Sequence, residues 1–269
     1  MPQIQINNAR YYYTDTGTGN ETIVFAHGFL MDREMFRHQI EALKSRYRII
    51  AFDWRGQGKS QVTDSGYDMD ELYRDALALI EALKLKKPHW TGVSMGGFIG
   101  MRIAARHPDL LGSLVLADTS DEAEILSKKI RWGLLAYIFK YFGPEPIING
   151  IRKALFGKSS LENPGFLPVL EEYTGKWMQL DREATFKIAW AIFNRKPVTE
   201  ELKNIKIPTL VVVGDEDIAR PVDEAERLSR RINNARMEII PKAGHSSPLE
   251  NPEDFNRILT DFLQNITPG

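Results

Sequence analysis

One serine in this sequence lies between two glycines, in the segment Gly92-Val93-Ser94-Met95-Gly96, and it is the residue best suited to covalent chemistry. A serine hydroxyl attacks an acyl carbon only when a base within hydrogen-bond reach removes its proton. The Gly-x-Ser-x-Gly spacing gains weight when a strand precedes it and a helix follows. Such a turn strains the serine backbone, and the flanking glycines remove side chains that would collide. We therefore expect Ser94 to be a nucleophile exposed at the end of a strand.

A histidine is the expected base, and the chain has five. His245 lies in the small-residue segment Ala243-Gly244-His245-Ser246-Ser247-Pro248, between the last predicted strand and the last predicted helix. A loop at this position allows an imidazole ring to reach the nucleophile, so His245 is the predicted base. The remaining histidines are expected to be structural: His27, His38, His89 and His107.

An acidic residue should orient the imidazole and stabilise its protonated form. The loop after a predicted strand at Thr209–Val213 supplies three candidates, Asp215, Glu216 and Asp217. Asp118, at the end of the preceding predicted strand, is a fourth. Position in the sequence does not choose among them.

The elements that must position these residues follow from the alternation of apolar runs with amphipathic segments. Helices are predicted at Asp32–Lys44, at Asp70–Leu83, directly after Ser94, and from Asn251 to Phe262. This pattern indicates a mostly parallel sheet covered by helices. The predicted strands are Gln3–Ile6, Arg10–Thr14, Thr22–Ala26, Arg48–Phe52, His89–Val93, Ser113–Ala117, Thr209–Val213 and Arg236–Ile240.

The alternation breaks between Asp118 and about Pro197, where the sequence is rich in aromatic residues, Gly and Pro. Several short helices inserted between two core strands are the simplest interpretation. We therefore divide the chain into a core of residues 1–118 and 198–269 and an insertion of residues 119–197. Its aromatic residues are expected to form an apolar substrate pocket, with Trp132, Trp177 and Trp190 as the candidates.

Taken together, these segments resemble the α/β-hydrolase superfamily over nearly the whole chain. The segments that carry the resemblance are His27-Gly28-Phe29, the Asp53–Ser60 turn, Gly92–Gly97, Gly214–Asp217 and Ala243–His245. The order Ser, Asp, His along the chain is also that of this superfamily. The resemblance implies an α/β fold with an eight-stranded, mostly parallel sheet flanked by helices, and makes the insertion a helical cap over the active site.

The same resemblance implies the roles of particular residues. It selects Asp217 as the acid, because that residue lies three positions after the loop glycine, with Asp118 at an alternative acid position. It also implies that the backbone N–H groups of Phe29 and Met95 form the oxyanion hole. The nearest resemblance is to small cofactor-free esterases, lactonases and perhydrolases.

We therefore expect a serine hydrolase that cleaves a carboxylic ester or lactone through an acyl-enzyme intermediate. One alternative is a carbon–carbon bond hydrolase, although that class commonly has tryptophan after the catalytic histidine, where this chain has Ser246. Another alternative is a small-molecule receptor that retains the fold with little turnover.

Composition narrows the partners and the compartment. The net charge of −1 gives no basic surface for nucleic acid or anionic membranes, and the absence of cysteine excludes thiol chemistry and disulfides. No membrane-spanning segment or secretory signal is apparent, so a cytoplasmic location is expected. We expect a small-molecule ester or lactone substrate and neither a metal nor an organic cofactor. The oligomeric state is not predicted.

Overall fold

A computed structural model describes residues 2–17 and 19–266. Met1, Thr18 and residues 267–269, which belong to the predicted core segments, lie outside the described residues. Within the described part of the chain, eight strands form one sheet. They are β1 (Gln3–Ile6), β2 (Ala9–Asp15), β3 (Thr22–Ala26), β4 (Arg48–Phe52), β5 (His89–Val93), β6 (Ser113–Ala117), β7 (Thr209–Gly214) and β8 (Arg236–Ile240).

The strand order across the sheet is β1-β2-β4-β3-β5-β6-β7-β8. β1 pairs antiparallel with β2, and β2 pairs antiparallel with β4. All remaining neighbours are parallel. The loops that follow β3, β5, β6, β7 and β8 therefore all begin at one edge of the sheet. The predicted α/β architecture, a mostly parallel eight-stranded sheet flanked by helices, is confirmed.

Both faces of the sheet are buried, which explains why the central strands are almost wholly apolar. On β3, Val24 and Ala26 pack on one face, together with helices that follow β4 and β5. Ile23 and Phe25 pack on the opposite face, together with the first and last helices of the chain. This alternation is the two-residue period of a strand.

Eleven α-helices lie within residues 2–17 and 19–266. They are α1 (Arg37–Leu43), α2 (Met69–Ala82), α3 (Met95–Arg106), α4 (Leu126–Phe142), α5 (Ile148–Leu155), α6 (Lys158–Glu162), α7 (Leu167–Met178), α8 (Arg182–Phe193), α9 (Val222–Arg231), α10 (Ser247–Glu250) and α11 (Pro252–Ile266). Short 3-10 turns lie at Arg33–Phe36, Glu145–Ile147, Pro164–Phe166 and Thr199–Asn204.

Two predicted helix boundaries need correction. The helix expected at Asp32–Lys44 begins as a 3-10 turn, because the Asp32 side chain accepts the N–H of Glu34 and tightens the first turn. The last helix continues past Phe262 to Ile266, since Phe255, Ile258, Leu259, Phe262 and Leu263 keep its apolar face against the core.

The stretch between β6 and β7 contains helices α4 to α8, and we call it the helical insertion. It includes α4, a helix of 17 residues, which is longer than the short helices expected from the sequence. Among the described residues, none of the helices combines the length and apolar character needed to cross a membrane.

Candidate active site

Ser94 lies in the sharp turn between β5 and α3, with φ +50° and ψ −109°. This conformation is strained for a residue with a side chain. The turn is possible because a Cβ on Gly92 would lie 2.3 Å from the backbone carbon of Gly96. A Cβ on Gly96 would lie only 2.0 Å from the carbonyl oxygen of Ala26 in β3. The two glycines therefore let strand and helix approach closely enough to present the serine side chain at the edge of the sheet.

The imidazole of His245 lies between Ser94 and Asp217. Its Nε2 is 2.9 Å from Ser94 Oγ, and its Nδ1 is 2.8 Å from Asp217 Oδ2. An ionised carboxylate only accepts hydrogen bonds, so Nδ1 carries the proton and Nε2 is free to accept from the serine hydroxyl. All three side chains are buried. This arrangement can transfer the serine proton to the imidazole.

Asp217 is held in place by its own loop. Its Oδ1 accepts the backbone N–H groups of Ala219 at 2.8 Å and Arg220 at 2.9 Å, which leaves Oδ2 for His245. Asp215, in contrast, is exposed. The Glu216 carboxylate accepts hydrogen bonds from Ser159 in the helical insertion. Of the three carboxylates in the loop, the structure thus brings Asp217 to His245.

The fourth candidate acid, Asp118, is fully buried. Its Oδ1 accepts the N–H of Gly214, and its Oδ2 accepts the hydroxyl of Ser247 at 2.6 Å and the Ser247 N–H at 3.2 Å. Asp118 therefore connects the loop that leads to Asp217 with the segment that follows His245. It contributes charge near the imidazole rather than a direct hydrogen bond.

Burial and charge act in opposite directions on these groups. Burial disfavours the imidazolium, but the charge of Asp217, its hydrogen bond and the charge of Asp118 outweigh this, so the pKa of His245 is raised. Burial, followed by repulsion from Asp217, raises the pKa of Asp118 to about 7. The imidazole is therefore a stronger base than an isolated histidine.

The loop after β3 approaches the serine from the other side. A Cβ on Gly28 would lie 3.3 Å from the Cβ of Ser94. The carbonyl of Gly28 accepts the N–H of Met31, which closes a turn with Phe29 at its centre and Leu30 at φ +63°. That turn does not use the N–H of Phe29, and the N–H of Met95 lies in the first turn of α3, which lacks helical acceptors. Both predicted oxyanion donors thus lie in segments beside Ser94.

His27 braces this loop. Its Nδ1 lies 2.7 Å from the carbonyl oxygen of Gly28, and its Nε2 accepts the N–H of Trp54 at 3.0 Å. The indole N–H of Trp54 in turn donates to the carbonyl of His27. Burial lowers the pKa of His27, so the ring is neutral with both nitrogens in use. This geometry agrees with a structural role for His27.

The other histidines lie in different places. His38 is exposed on α1, and His89 hydrogen-bonds to the hydroxyl of Ser113 inside the sheet. His107, at the end of α3, meets the hydroxyl of Tyr73 at 2.6 Å. None of these three contacts Ser94 in the described structure.

A cavity of about 130 Å³ extends from Ser94 and His245 beneath the helical insertion. Phe29, Leu30 and Ala219 contribute to its wall from the core side. Its walls are mostly apolar, as is usual for small-molecule sites. The insertion contributes, among others, Trp132, Leu135, Phe139, Ile147, Ile151, Leu155, Phe186, Ala189 and Ile192.

The structure separates the three tryptophans proposed from the sequence. Trp132 lines the cavity. Trp177 is only 1% exposed and lies behind the loop after β3, where its indole N–H donates to the carbonyl of Leu30 at 2.7 Å. Trp190 is 47% exposed and packs against Tyr137 and Phe186 on the outer surface. Neither Trp177 nor Trp190 lines the cavity, which corrects their predicted place in the substrate pocket.

The cavity wall also carries a polar patch that was not predicted from the sequence. Glu124 and Arg220 both line the cavity, and the Glu124 carboxylate accepts from Arg220 at 2.5 Å and from Arg195 at 3.2 Å. Arg220 also meets the Glu224 carboxylate at 3.3 Å, so the cation on the cavity wall is held by two carboxylates in a buried cluster. A weak sequence signal for this patch was available, since Arg220 lies only three residues after Asp217.

Comparison with known proteins adds independent findings. The family described as alpha/beta hydrolase fold matches residues 21–252. The chain is 27% identical to 3-oxoadipate enol-lactonase 1 of Acinetobacter baylyi, over 91% of this chain and 89% of that protein. It is 28% identical to a 2-hydroxy-6-oxononadienedioate/2-hydroxy-6-oxononatrienedioate hydrolase of Burkholderia vietnamiensis, over 95% and 91%. A solved thermophilic esterase from Thermogutta terrifontis superimposes with a TM-score of 0.91 at 28% identity, covering 100% of both chains.

Proposed function

The chain belongs to the α/β-hydrolase family, and we propose that it is a serine hydrolase that cleaves a carboxylic ester or lactone through an acyl-enzyme intermediate. The observation that carries this proposal is the pair of contacts made by His245. Its ring lies 2.9 Å from the Ser94 hydroxyl and 2.8 Å from the Asp217 carboxylate, in a buried site that opens into the cavity. An ordinary structural serine does not require a base oriented in this way.

In the first half of the reaction, His245 Nε2 takes the proton from Ser94 Oγ as that oxygen attacks the acyl carbon. The carbonyl oxygen becomes an oxyanion, which the N–H groups of Phe29 and Met95 stabilise. His245 then gives its proton to the leaving alkoxide, and the acyl group remains on Ser94. Asp217 stabilises the imidazolium throughout and fixes its tautomer. For a lactone, the alcohol stays attached to the acyl group.

In the second half, His245 removes a proton from water, and the resulting hydroxide attacks the acyl carbon. The tetrahedral intermediate collapses as His245 returns the proton to Ser94 Oγ, and the carboxylic acid leaves.

Removal of one oxyanion donor costs on the order of 100- to 1000-fold in turnover in comparable enzymes. The strained backbone at Ser94 orients Oγ before substrate binds.

The lining of the cavity favours an uncharged acyl or alcohol group. Most of its wall is aliphatic or aromatic, and its buried charges, Glu124 and Arg220, are already paired with each other. A free carboxylate placed there would lose hydration without gaining an unpaired cation. Small apolar esters and lactones are therefore the proposed substrates.

Hydrolysis of p-nitrophenyl acetate by the wild type and by Ser94→Ala tests this proposal. We expect the variant to lose essentially all turnover while its thermal unfolding stays cooperative, since the substitution removes only the nucleophilic oxygen. Near-wild-type turnover in Ser94→Ala would refute the proposal.

A carbon–carbon bond hydrolase is the second candidate, because one relative is named as a dienedioate hydrolase. The two candidates differ in the bond that breaks, so a panel of esters, lactones and vinylogous 1,5-diketones distinguishes them. Faster turnover of the diketones would favour the second candidate. The receptor alternative stays a prediction, and slow turnover on every member of the panel would favour it.

A further inference from the structure

Glu250, five residues after His245, fixes the backbone on both sides of that histidine. It ends the short helix α10, and its carboxylate turns back towards the preceding loop. Its Oε1 accepts the N–H of Gly244 at 2.9 Å and the N–H of Ser246 at 3.0 Å. Gly244 and Ser246 are the two neighbours of His245 in the chain. One oxygen atom thus holds the backbone on both sides of the base.

The second oxygen of Glu250 reaches the helical insertion. Its Oε2 accepts the N–H of Gly157, at the start of α6, at 2.6 Å. Burial raises the pKa of Glu250, and an interaction with the hydroxyl of Ser160 opposes this increase. The same carboxylate therefore joins the loop of the base to the insertion that covers the cavity.

Two glycines bring these segments into direct contact. A Cβ on Gly244 would lie 2.2 Å from the backbone nitrogen of Gly157, and a Cβ on Gly157 would lie 2.8 Å from the nitrogen of Gly244. The loop that carries Asp217 also contacts this part of the insertion. Its Glu216 carboxylate accepts the N–H of Ser159 at 2.7 Å and the Ser159 hydroxyl at 2.6 Å. Residues 157–160 of the insertion thus contact both catalytic loops.

We propose that Glu250 is a positioning residue for the base, and that it couples the placement of the helical insertion to the placement of His245. This inference rests on the proposed function, because it assigns Glu250 a role through His245. The three backbone N–H groups that donate to its carboxylate come from two segments that are far apart in the sequence. A shift of the insertion at Gly157 is therefore transmitted to the imidazole and changes its distance from Ser94.

A conservative substitution of Glu250 distinguishes a positioning role from a purely stabilising one. Glu250→Gln keeps the size of the side chain but replaces one accepting oxygen with an N–H₂ group, which cannot accept from a backbone N–H. Either orientation of the amide loses the bond to Gly157 or the two bonds beside His245. Displacement of a catalytic group by about 1 Å can cost on the order of 100-fold in rate.

The experiment measures kcat, KM and the pH profile of Glu250→Gln with p-nitrophenyl acetate, together with its thermal unfolding. We expect kcat to fall about 10- to 100-fold while KM changes by less than about 3-fold. The acidic limb of kcat/KM should move to lower pH, because a looser His245 loses part of the stabilisation from Asp217. Wild-type values of kcat and of the acidic limb in a folded Glu250→Gln would overturn the inference.

Glu172→Gln is the matched control. Glu172, on α7, accepts from Arg37 on α1 at 2.7 Å and thus joins the insertion to the core away from His245. We expect its kcat and pH profile to stay within about 2-fold of wild type. An equal fall in both variants would mean that any loosening of the insertion lowers activity, which would overturn the specific role of Glu250.

A milder variant covers the case in which Glu250→Gln does not fold. Ser160→Ala removes the hydroxyl that interacts with the carboxylate and should lower kcat about 3- to 10-fold with the same direction of pH shift. Unchanged kcat in Ser160→Ala would then overturn the inference. Labelling with a fluorophosphonate distinguishes failure of the proposed function from failure of the role of Glu250. A wild type that is neither labelled nor active refutes the proposed function and this inference with it, whereas labelling of Glu250→Gln at the wild-type rate refutes this inference alone.

Discussion

The indole N–H of Trp177 donates to the carbonyl oxygen of Leu30 at 2.7 Å and thereby joins the helical insertion to the turn that carries Phe29. Leu30 has φ +63°, a conformation that costs free energy and persists only where the surrounding structure holds it. Trp177 is therefore better understood as support for the proposed oxyanion loop than as a residue that contacts substrate.

Trp177→Phe should weaken this support while keeping the ring buried. The carbonyl of Leu30 would lose its donor, at a cost of about 1–3 kcal/mol in the free energy of unfolding. We also expect kcat to fall several-fold with little change in KM. Urea unfolding and steady-state kinetics check both effects. Trp190→Phe, at an exposed site, is the control and should behave as wild type, and unchanged kcat in Trp177→Phe would contradict this account of the loop.

The close contact of Gly96 with Ala26 predicts that Gly96→Ala is strongly destabilising. The new methyl group would lie 2.0 Å from a backbone oxygen, so β3 and α3 must separate. Overpacking of this kind typically costs about 1–3 kcal/mol, and the shift should also displace Met95 and lower kcat.

Gly175→Ala is the matched control for that substitution. Gly175 is an exposed position of α7 where a Cβ would meet nothing within 4 Å. There the same change should stabilise the protein by about 0.5–1 kcal/mol, because alanine is the better helix former. Thermal unfolding of both variants checks the opposite signs, and a stable, fully active Gly96→Ala would contradict the proposed geometry of the turn.

The raised pKa of His245 sets the pH dependence of the reaction. The base acts in its neutral form, so kcat/KM should rise through an ionisation whose midpoint lies above 6.5, the ordinary value for histidine. The charge of Asp118 contributes to this increase, and Asp118→Asn should therefore move the midpoint to lower pH. A pH profile from 5 to 9 checks both points. A midpoint at or below 6.5 in wild type, or an upward shift in Asp118→Asn, would contradict the assignment.

The cavity predicts selection by acyl length. Ala189 lies on its wall at 3% exposure, so Ala189→Phe should place a ring inside a space of about 130 Å³. We expect turnover of p-nitrophenyl acetate to change only a few-fold. Turnover of p-nitrophenyl octanoate should fall by 10-fold or more, since each methylene excluded from the cavity is worth about 1–3 kcal/mol. Kinetics over a series of acyl lengths check this, and a uniform loss at every length would show that the ring lies elsewhere.

The core of the fold was predictable because its signals are local. The central strands are continuous apolar runs, and the helix before β5 has a regular apolar spacing ending at Leu79 and Ile80. The turn at Ser94 was equally predictable from the sequence, because its close backbone contacts leave room only for glycine at positions 92 and 96. These features need no knowledge of distant residues.

The helical insertion was less predictable, because its helices meet the core, one another and solvent on different faces. Trp177 and Trp190 have the same type of side chain and lie on neighbouring helices, yet one is buried behind Leu30 and the other is exposed. The choice among four carboxylates for His245 likewise depends on loop geometry, with Asp118 directed to Gly214 and Ser247 instead. Such choices require the three-dimensional arrangement.

Mass spectrometry of the intact protein after incubation with a fluorophosphonate, followed by peptide mapping, tests the central claim most directly. The account predicts a single covalent adduct on the peptide that contains Ser94, formed faster as pH rises and His245 loses its proton. His245→Ala should abolish it without unfolding the chain. Failure to form an adduct on Ser94, or equal labelling in His245→Ala, would contradict the claim that His245 activates Ser94 as a nucleophile.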